Sequence, residues 1–201
     1  METISIQRSS KRRVVVLQWL TLGWMTVECS IALSAAWRAG SVSLLAFGSD
    51  SLVEFISALV VLLQFAPRWS ISQIRAAKVC GMLLYSLAAI VLLIALLGLM
   101  RHTEVDESPL GIAVTAAALL LMPILARMKR READRTGNRA LRADAVQSAT
   151  CAYLAALTLG GLLLRSFVNL HWIDSVAALA AVPLLVTEAK KARQGQVCGC
   201  C

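Results

Sequence analysis

The sequence predicts an all-α, polytopic membrane protein of six transmembrane helices with both termini in the cytoplasm. Three observations lead there. Hydrophobic residues make up 58% of the 201-residue chain and the mean hydropathy is +0.71, whereas soluble domains average about 45–50% apolar. The apolar residues gather into six segments that reach or approach the ~20 residues needed to cross the hydrocarbon core. Finally, seventeen of the twenty Lys and Arg fall on one side of the predicted bundle, leaving only Arg38, Arg101 and Arg165 on the other. The positive-inside bias then puts both termini in the cytoplasm and supports an even number of spans.

The first span, Val14–Trp37, follows the basic stretch METISIQRSSKRR. No small-residue cleavage site follows a short apolar run, so a cleavable secretory signal is not expected. Glu28 lies midway along this span beside Cys29. The second span, Val42–Phe65, carries Asp50 and Glu54 one helical turn apart in DSLVE. The third, Lys78–Met100, holds Cys80 at its inner end, where ordinary packing explains it. The outer loop Arg101–Pro109, RHTEVDESP, reads as a solvated acidic turn, although it could gather cations; His102 falls within it. The fourth span, Leu110–Met128, is short and contains Pro123 as a bend. The stretch Arg127–Leu141, RMKRREADRTGNRAL, reads as the longest cytoplasmic loop, a topology anchor that also touches anionic lipid. Gly137-Asn138 marks the break before the fifth helix.

The fifth span, Ala140–Leu164, carries Asp144, Gln147 and Cys151 in steps of three and four. The sixth, Ile173–Thr187, is short, with Pro183 inside it and Asp174 as a helix cap. The expected organisation is a basic N-terminus over 1–13, a membrane domain over 14–188 and a short cytoplasmic tail over 189–201. That tail, ending Cys198-Gly199-Cys200-Cys201, has too few residues for a folded domain. Its three thiols suit capture of a soft cation, with palmitoylation or adventitious thiols as the alternatives. The six cysteines do not form an extracellular disulfide pattern. A net charge of +8 is read as charge-guided topology in lipid, and no nucleic-acid partner is expected.

Function points to the buried acids. A carboxylate at the bilayer centre costs at least a few kcal/mol, and such residues usually mark an ion or proton pathway. The second helix enters from outside and the fifth from inside, so Asp50, Glu54, Gln147 and Cys151 reach similar depths. Together they could surround one divalent cation; carboxylate oxygen and thiolate sulfur are zinc ligands, and the amide oxygen a weak one. Two carboxylates one turn apart in low dielectric cannot both ionise cheaply, so an empty site tends to hold a proton that an arriving metal displaces. The blander reading is that both acids hydrogen-bond neighbouring helices or face a wet crevice. Glu28 is an auxiliary or proton-carrying group, or a structural hydrogen-bond partner. Asp144 either draws ions in at the cytoplasmic mouth or is a helix-start anion favoured by the helix dipole. Cys151 alone would read as core; its register with Asp144 and Gln147 makes it a candidate. His171, like His102, falls outside, so no histidine is available at mid-membrane. With no nucleophile–base pair and no phosphate loop, an enzyme is not expected, and no cofactor is required.

These residues resemble the membrane domain of the cation diffusion facilitator family over residues ~12 to ~190. DSLVE is similar to the family's second-helix DxxxD metal pair, with Glu54 for the second Asp. LRADAVQSATC, Leu141–Cys151, is similar to the fifth-helix ADAxHxxxD pattern: Asp144 takes the leading Asp, Gln147 the usual His and Cys151 the usual Asp. WIDSVAAL, Trp172–Leu179, resembles the start of the family's sixth helix. The resemblance implies a homodimeric exporter in the inner or plasma membrane that carries divalent metal out of the cytoplasm against inward proton flow. It implies a compact bundle of the first, second, fourth and fifth helices, with the third and sixth paired. Gln for His and Cys for Asp soften the ligand set, so cadmium or lead joins zinc as a candidate cargo. The family's usual cytoplasmic domain is not expected in this chain. Two other readings stay open: a non-transporting membrane protein that binds or senses metal or acts in assembly, and a small exporter of organic cations.

Overall fold

The computed structural model describes residues 2–65, 72–101, 108–167 and 173–193, and its architecture is all-α. The elements are α1 (Glu2–Ala39), α2 (Val42–Leu63), α3 (Gln73–Arg101), α4 (Pro109–Thr136), α5 (Arg139–Phe167) and α6 (Ile173–Arg193). Among the described residues, five helices are long and apolar enough to cross a membrane, and α6 holds a shorter apolar stretch, Ser175–Thr187. At 21 residues and 1.5 Å per residue, α6 is still about 31 Å long. Both α4 and α6 continue through their prolines.

Local sequence sets the helix boundaries. Gly40 has φ 64° and Gly137 φ 62°, a left-handed conformation that glycine adopts without a Cβ clash. Gly40 stops α1, and Ser41 Oγ then accepts from Leu44 N at 3.1 Å to start α2. Ser108 caps α4 by accepting from Gly111 N at 3.1 Å, with Pro109 at its first position. Gly137 ends α4, and Asn138 Oδ1 accepts from Ala140 N and Leu141 N at 3.0 and 3.1 Å to open α5. The Gly-Asn break therefore lies where the sequence puts it.

What precedes that break differs from expectation. Arg127–Thr136 is not a loop but the last turns of α4, and only Gly137 and Asn138 separate α4 from α5. The polarity of this stretch masks a helical pattern. Met122, Ala126, Lys129 and Ala133 continue one buried stripe in steps of three and four, while Arg127, Arg130 and Arg131 face outward. At 28 residues α4 is about 42 Å long, more than the ~30 Å hydrocarbon thickness.

The helices pack as a ring, α1 against α2 and α4, and α5 against α4 and α2. The α3–α6 pair lies against the α2 and α5 side of that ring. Met25, Phe47, Leu84, Leu87, Met122 and Leu154 belong to the main apolar core. Outward positions are also apolar, as at Trp19, Leu93 and Leu120, which suits a surface solvated by lipid. Small residues let the ring close. A Cβ on Gly48 would sit 2.7 Å from Leu33 Cδ2 and 3.2 Å from the Leu33 backbone nitrogen, so α1 and α2 touch across a bare backbone. Gly48→Ala is therefore expected to destabilise the bundle by about 1–3 kcal/mol, as overpacking does. Thermal unfolding in detergent micelles measures this; an unchanged midpoint rules out the close approach.

Candidate functional site

Each helix of the ring sends polar side chains inward on a helical spacing. From α2 come Asp50, Ser51 and Glu54; from α5, Asp144, Gln147, Ser148 and Cys151; from α1, Gln18 and Glu28; from α4, Lys129. All ten are fully buried. The core thus holds four carboxylates and one ammonium, in surroundings where an unpaired charge is expensive.

Two polar layers form, about one helical turn apart. Lys129 Nζ organises the first. It lies 3.0 Å from Glu54 Oε1 and 2.9 Å from Asp144 Oδ2, and it donates to Ser148 Oγ at 2.8 Å. Ser148 in turn donates to Glu54 Oε1, and Gln18 Nε2 donates to Asp144 Oδ2 at 2.8 Å. One cation therefore ties α4 to α2 and α5, and Gln18 adds α1.

Glu28 organises the second layer. Its Oε1 accepts from Ser51 Oγ at 2.7 Å and from the Cys151 thiol at 3.3 Å, and its Oε2 accepts from Trp24 Nε1. Asp50 interacts electrostatically with Glu28, Glu54 and Cys151. Neither Asp50 oxygen meets hydrogen-bond geometry with a described residue, and the same holds for both polar atoms of the Gln147 amide, for Glu54 Oε2 and for Asp144 Oδ1.

The structure thus places all six membrane residues singled out in the sequence inside one ring, but divides them. Glu54 and Asp144 belong with Lys129, and Cys151 and Glu28 belong together. Among the described residues, no three His, Cys, Asp or Glu side chains gather closely enough to hold a metal ion. Asp144 is fully buried and ion-paired with Lys129 in the second turn of α5. Cys80 sits in the core 3.2 Å from Ser57 Oγ. His102, His171, Cys198, Cys200 and Cys201 lie outside the described residues, as does the Asp174 side chain.

Sequence reasoning missed Lys129, counting it among the cytoplasmic topology charges. The signal was its register, three residues after Ala126 and four before Ala133 on the buried stripe of α4. Gln18 and Ser148 were missed as well; Ser148 lies four residues after Asp144 on the same face of α5.

A profile of the cation efflux transmembrane domain matches residues 73–190, more than half of the chain. This chain belongs to the cation efflux family. The matched region of this cation efflux protein spans α3–α6 and includes Lys129, Asp144, Gln147 and Cys151; Glu28, Asp50 and Glu54 precede it. The family comprises multi-pass membrane transporters of metal cations. No curated protein matches the cation efflux chain significantly.

The ion-pair geometry predicts a stability pattern. Replacing both acids, Glu54→Ala with Asp144→Ala, strands a buried ammonium and is expected to destabilise the protein by about 3–5 kcal/mol. Adding Lys129→Met to that pair removes the stranded charge and recovers most of the loss. Unfolding midpoints in detergent read both effects, and a triple variant no more stable than the double contradicts this assignment.

Proposed function

We propose that this cation efflux protein exports divalent metal from the cytoplasm across the inner or plasma membrane, driven by protons moving inward. Both termini lie on the cytoplasmic side, where the positive-inside bias puts them. Asp50, Glu54, Gln147 and Cys151 ligate the ion in the loaded state, with Glu28 and Asp144 assisting. Asp50 carries the proposal: it is a fully buried carboxylate beside the Cys151 thiol across the contact between α2 and α5, and its charged neighbours among the described residues, Glu54 and Glu28, are acids. Such a group needs a proton or a cation. Exchanging one for the other at a single site is antiport, because metal binding releases protons from its ligands.

Cys151 makes the site soft, so cadmium and lead join zinc as cargo. The transporter works as a homodimer, and the Cys198, Cys200 and Cys201 thiols capture metal on the cytoplasmic side. One observation favours a second reading, a non-transporting protein that binds or senses metal: among the described residues no three ligating side chains meet in this conformation. Transport separates the two.

In proteoliposomes containing a metal-sensitive dye, an acidic lumen is expected to drive metal uptake while protons leave. Asp50→Asn should lower the uptake rate at least tenfold. Wild-type uptake by this variant overturns the transport reading, and metal binding abolished by deleting 198–201 alone favours the second. Cys151→Asp is expected to shift the ratio of zinc to cadmium uptake at least tenfold towards zinc. An unchanged ratio in competition assays removes Cys151 from the ligand set.

A further inference from the structure

We propose that Lys129 is a tethered cation that holds Glu54 in the unloaded state, so that metal binds by exchanging places with an ammonium at that carboxylate. The proposal rests on the transport reading and specifies how the site is kept free of cargo. Three observations carry it, none of them dependent on proton loss from the lysine.

First, Lys129 occupies the carboxylate that a metal would use. Its Nζ is 3.0 Å from Glu54 Oε1, with both side chains fully buried. A cation fixed to the bundle competes at a constant effective concentration, typically millimolar for a short tether. The apparent metal affinity falls by the fraction of time the carboxylate is free.

Second, the ammonium has somewhere to stay when Glu54 leaves. Asp144 Oδ2 at 2.9 Å and Ser148 Oγ at 2.8 Å hold it independently of Glu54. Gln18 Nε2, at 2.8 Å from the same Asp144 oxygen, steadies that carboxylate from α1. Release of Glu54 thus exposes no unpaired ammonium, which is the event that makes breaking a buried pair so unfavourable. Asp144 acts in this scheme as the standing partner of Lys129.

Third, Glu54 is incompletely held. Its Oε2 has no partner while Oε1 carries both the ammonium and the Ser148 hydroxyl. A half-satisfied carboxylate is poised to turn, because reorientation sacrifices contacts at one oxygen only. One helical turn away on the same face of α2 lies Asp50, a second buried acid within electrostatic reach of Glu54.

The test is a charge-balanced variant. Lys129→Gln combined with Asp144→Asn removes one positive and one negative charge, preserves the net charge of the core and leaves Glu54 without its competitor. Cadmium binding to the full chain in detergent, measured by calorimetry, is expected to tighten at least fivefold. A smaller gain, no change or weaker binding overturns the proposal. Lys129→Arg keeps a tethered cation and should stay within fivefold of wild type; tightening equal to that of the double variant also overturns it. A structural role alone would lower the unfolding midpoint without tightening binding, so both quantities are measured on each variant. Failure of the transport reading looks different: Asp50→Asn then binds cadmium as wild type does, whatever the lysine variants show.

Discussion

A single ammonium group sets the internal arrangement of this bundle. Lys129 Nζ lies between Glu54 of α2 and Asp144 of α5, and all three side chains are fully buried. In low dielectric each of these charges alone would oppose folding. Together they fix the azimuth of three helices, because a shift of one residue along any of them would rotate its charged group by 100° out of the core. The tight Gly137–Asn138 turn serves this arrangement. It brings the end of α4 back against the start of α5, so that Lys129 and Asp144, each within two turns of that connection, face one another.

The apolar packing and the polar core divide the work along the bundle. Above the ion-paired layer, Met25, Phe47, Met122 and Leu154 close the ring with side chains that could be exchanged for others of similar volume. The polar layers cannot be exchanged in that way, since removing one member strands another. Glu28 illustrates this. It collects Trp24, Ser51 and Cys151 from three helices, leaving Asp50 as the carboxylate without a donor. The charge in the core is therefore uneven: in one layer a single ammonium faces two carboxylates, and in the other Asp50 and Glu28 have no cation among the described residues.

Most of the architecture was legible in the chain. Apolar runs of membrane length give the helices, Gly137-Asn138 gives the break between α4 and α5, and buried acids on helical spacing identify the ring's interior. The sequence was misleading where composition and register disagree. Seven basic residues between Arg127 and Arg142 look like one cytoplasmic loop when counted, yet they divide by helical angle. Lys129 points to the core and its neighbours do not. Asp144 shows the same limit: its position near a helix start suggested a funnelling role or an anion favoured by the helix dipole, and only the partner on α4 reveals an ion pair. Partner choice between helices is a tertiary property, and no pattern within one helix specifies it. Counting charges tested topology; following each charge around its helix would have found the lysine.

The same angular division sets the charge on the outer faces of the ring. Between α1 and α4 lies a groove of about 630 Å³ lined by Arg12, Arg13, Arg131 and Arg135, with Glu132 paired to Arg13 and Arg135. A smaller hollow of about 220 Å³ between α4 and α5 is lined by Arg127 and Arg130. Focused positive potential in such clefts repels a divalent cation and attracts anions. Both grooves flank the lysine-bearing end of α4, so positive charge lines that face of the ring. At the corresponding ends of α2 and α5 the contact is uncharged. There Asn138 Nδ2 donates to Gln64 Oε1 at 3.3 Å, and Gln64 Nε2 has no partner. Glu54 lies on α2 between that amide pair and Asp50. Along α2 the polar groups thus run from a neutral amide to Glu54 and then Asp50, and the Lys129 ammonium, seated between Glu54 and Asp144, neutralises part of the charge where α2 and α5 meet.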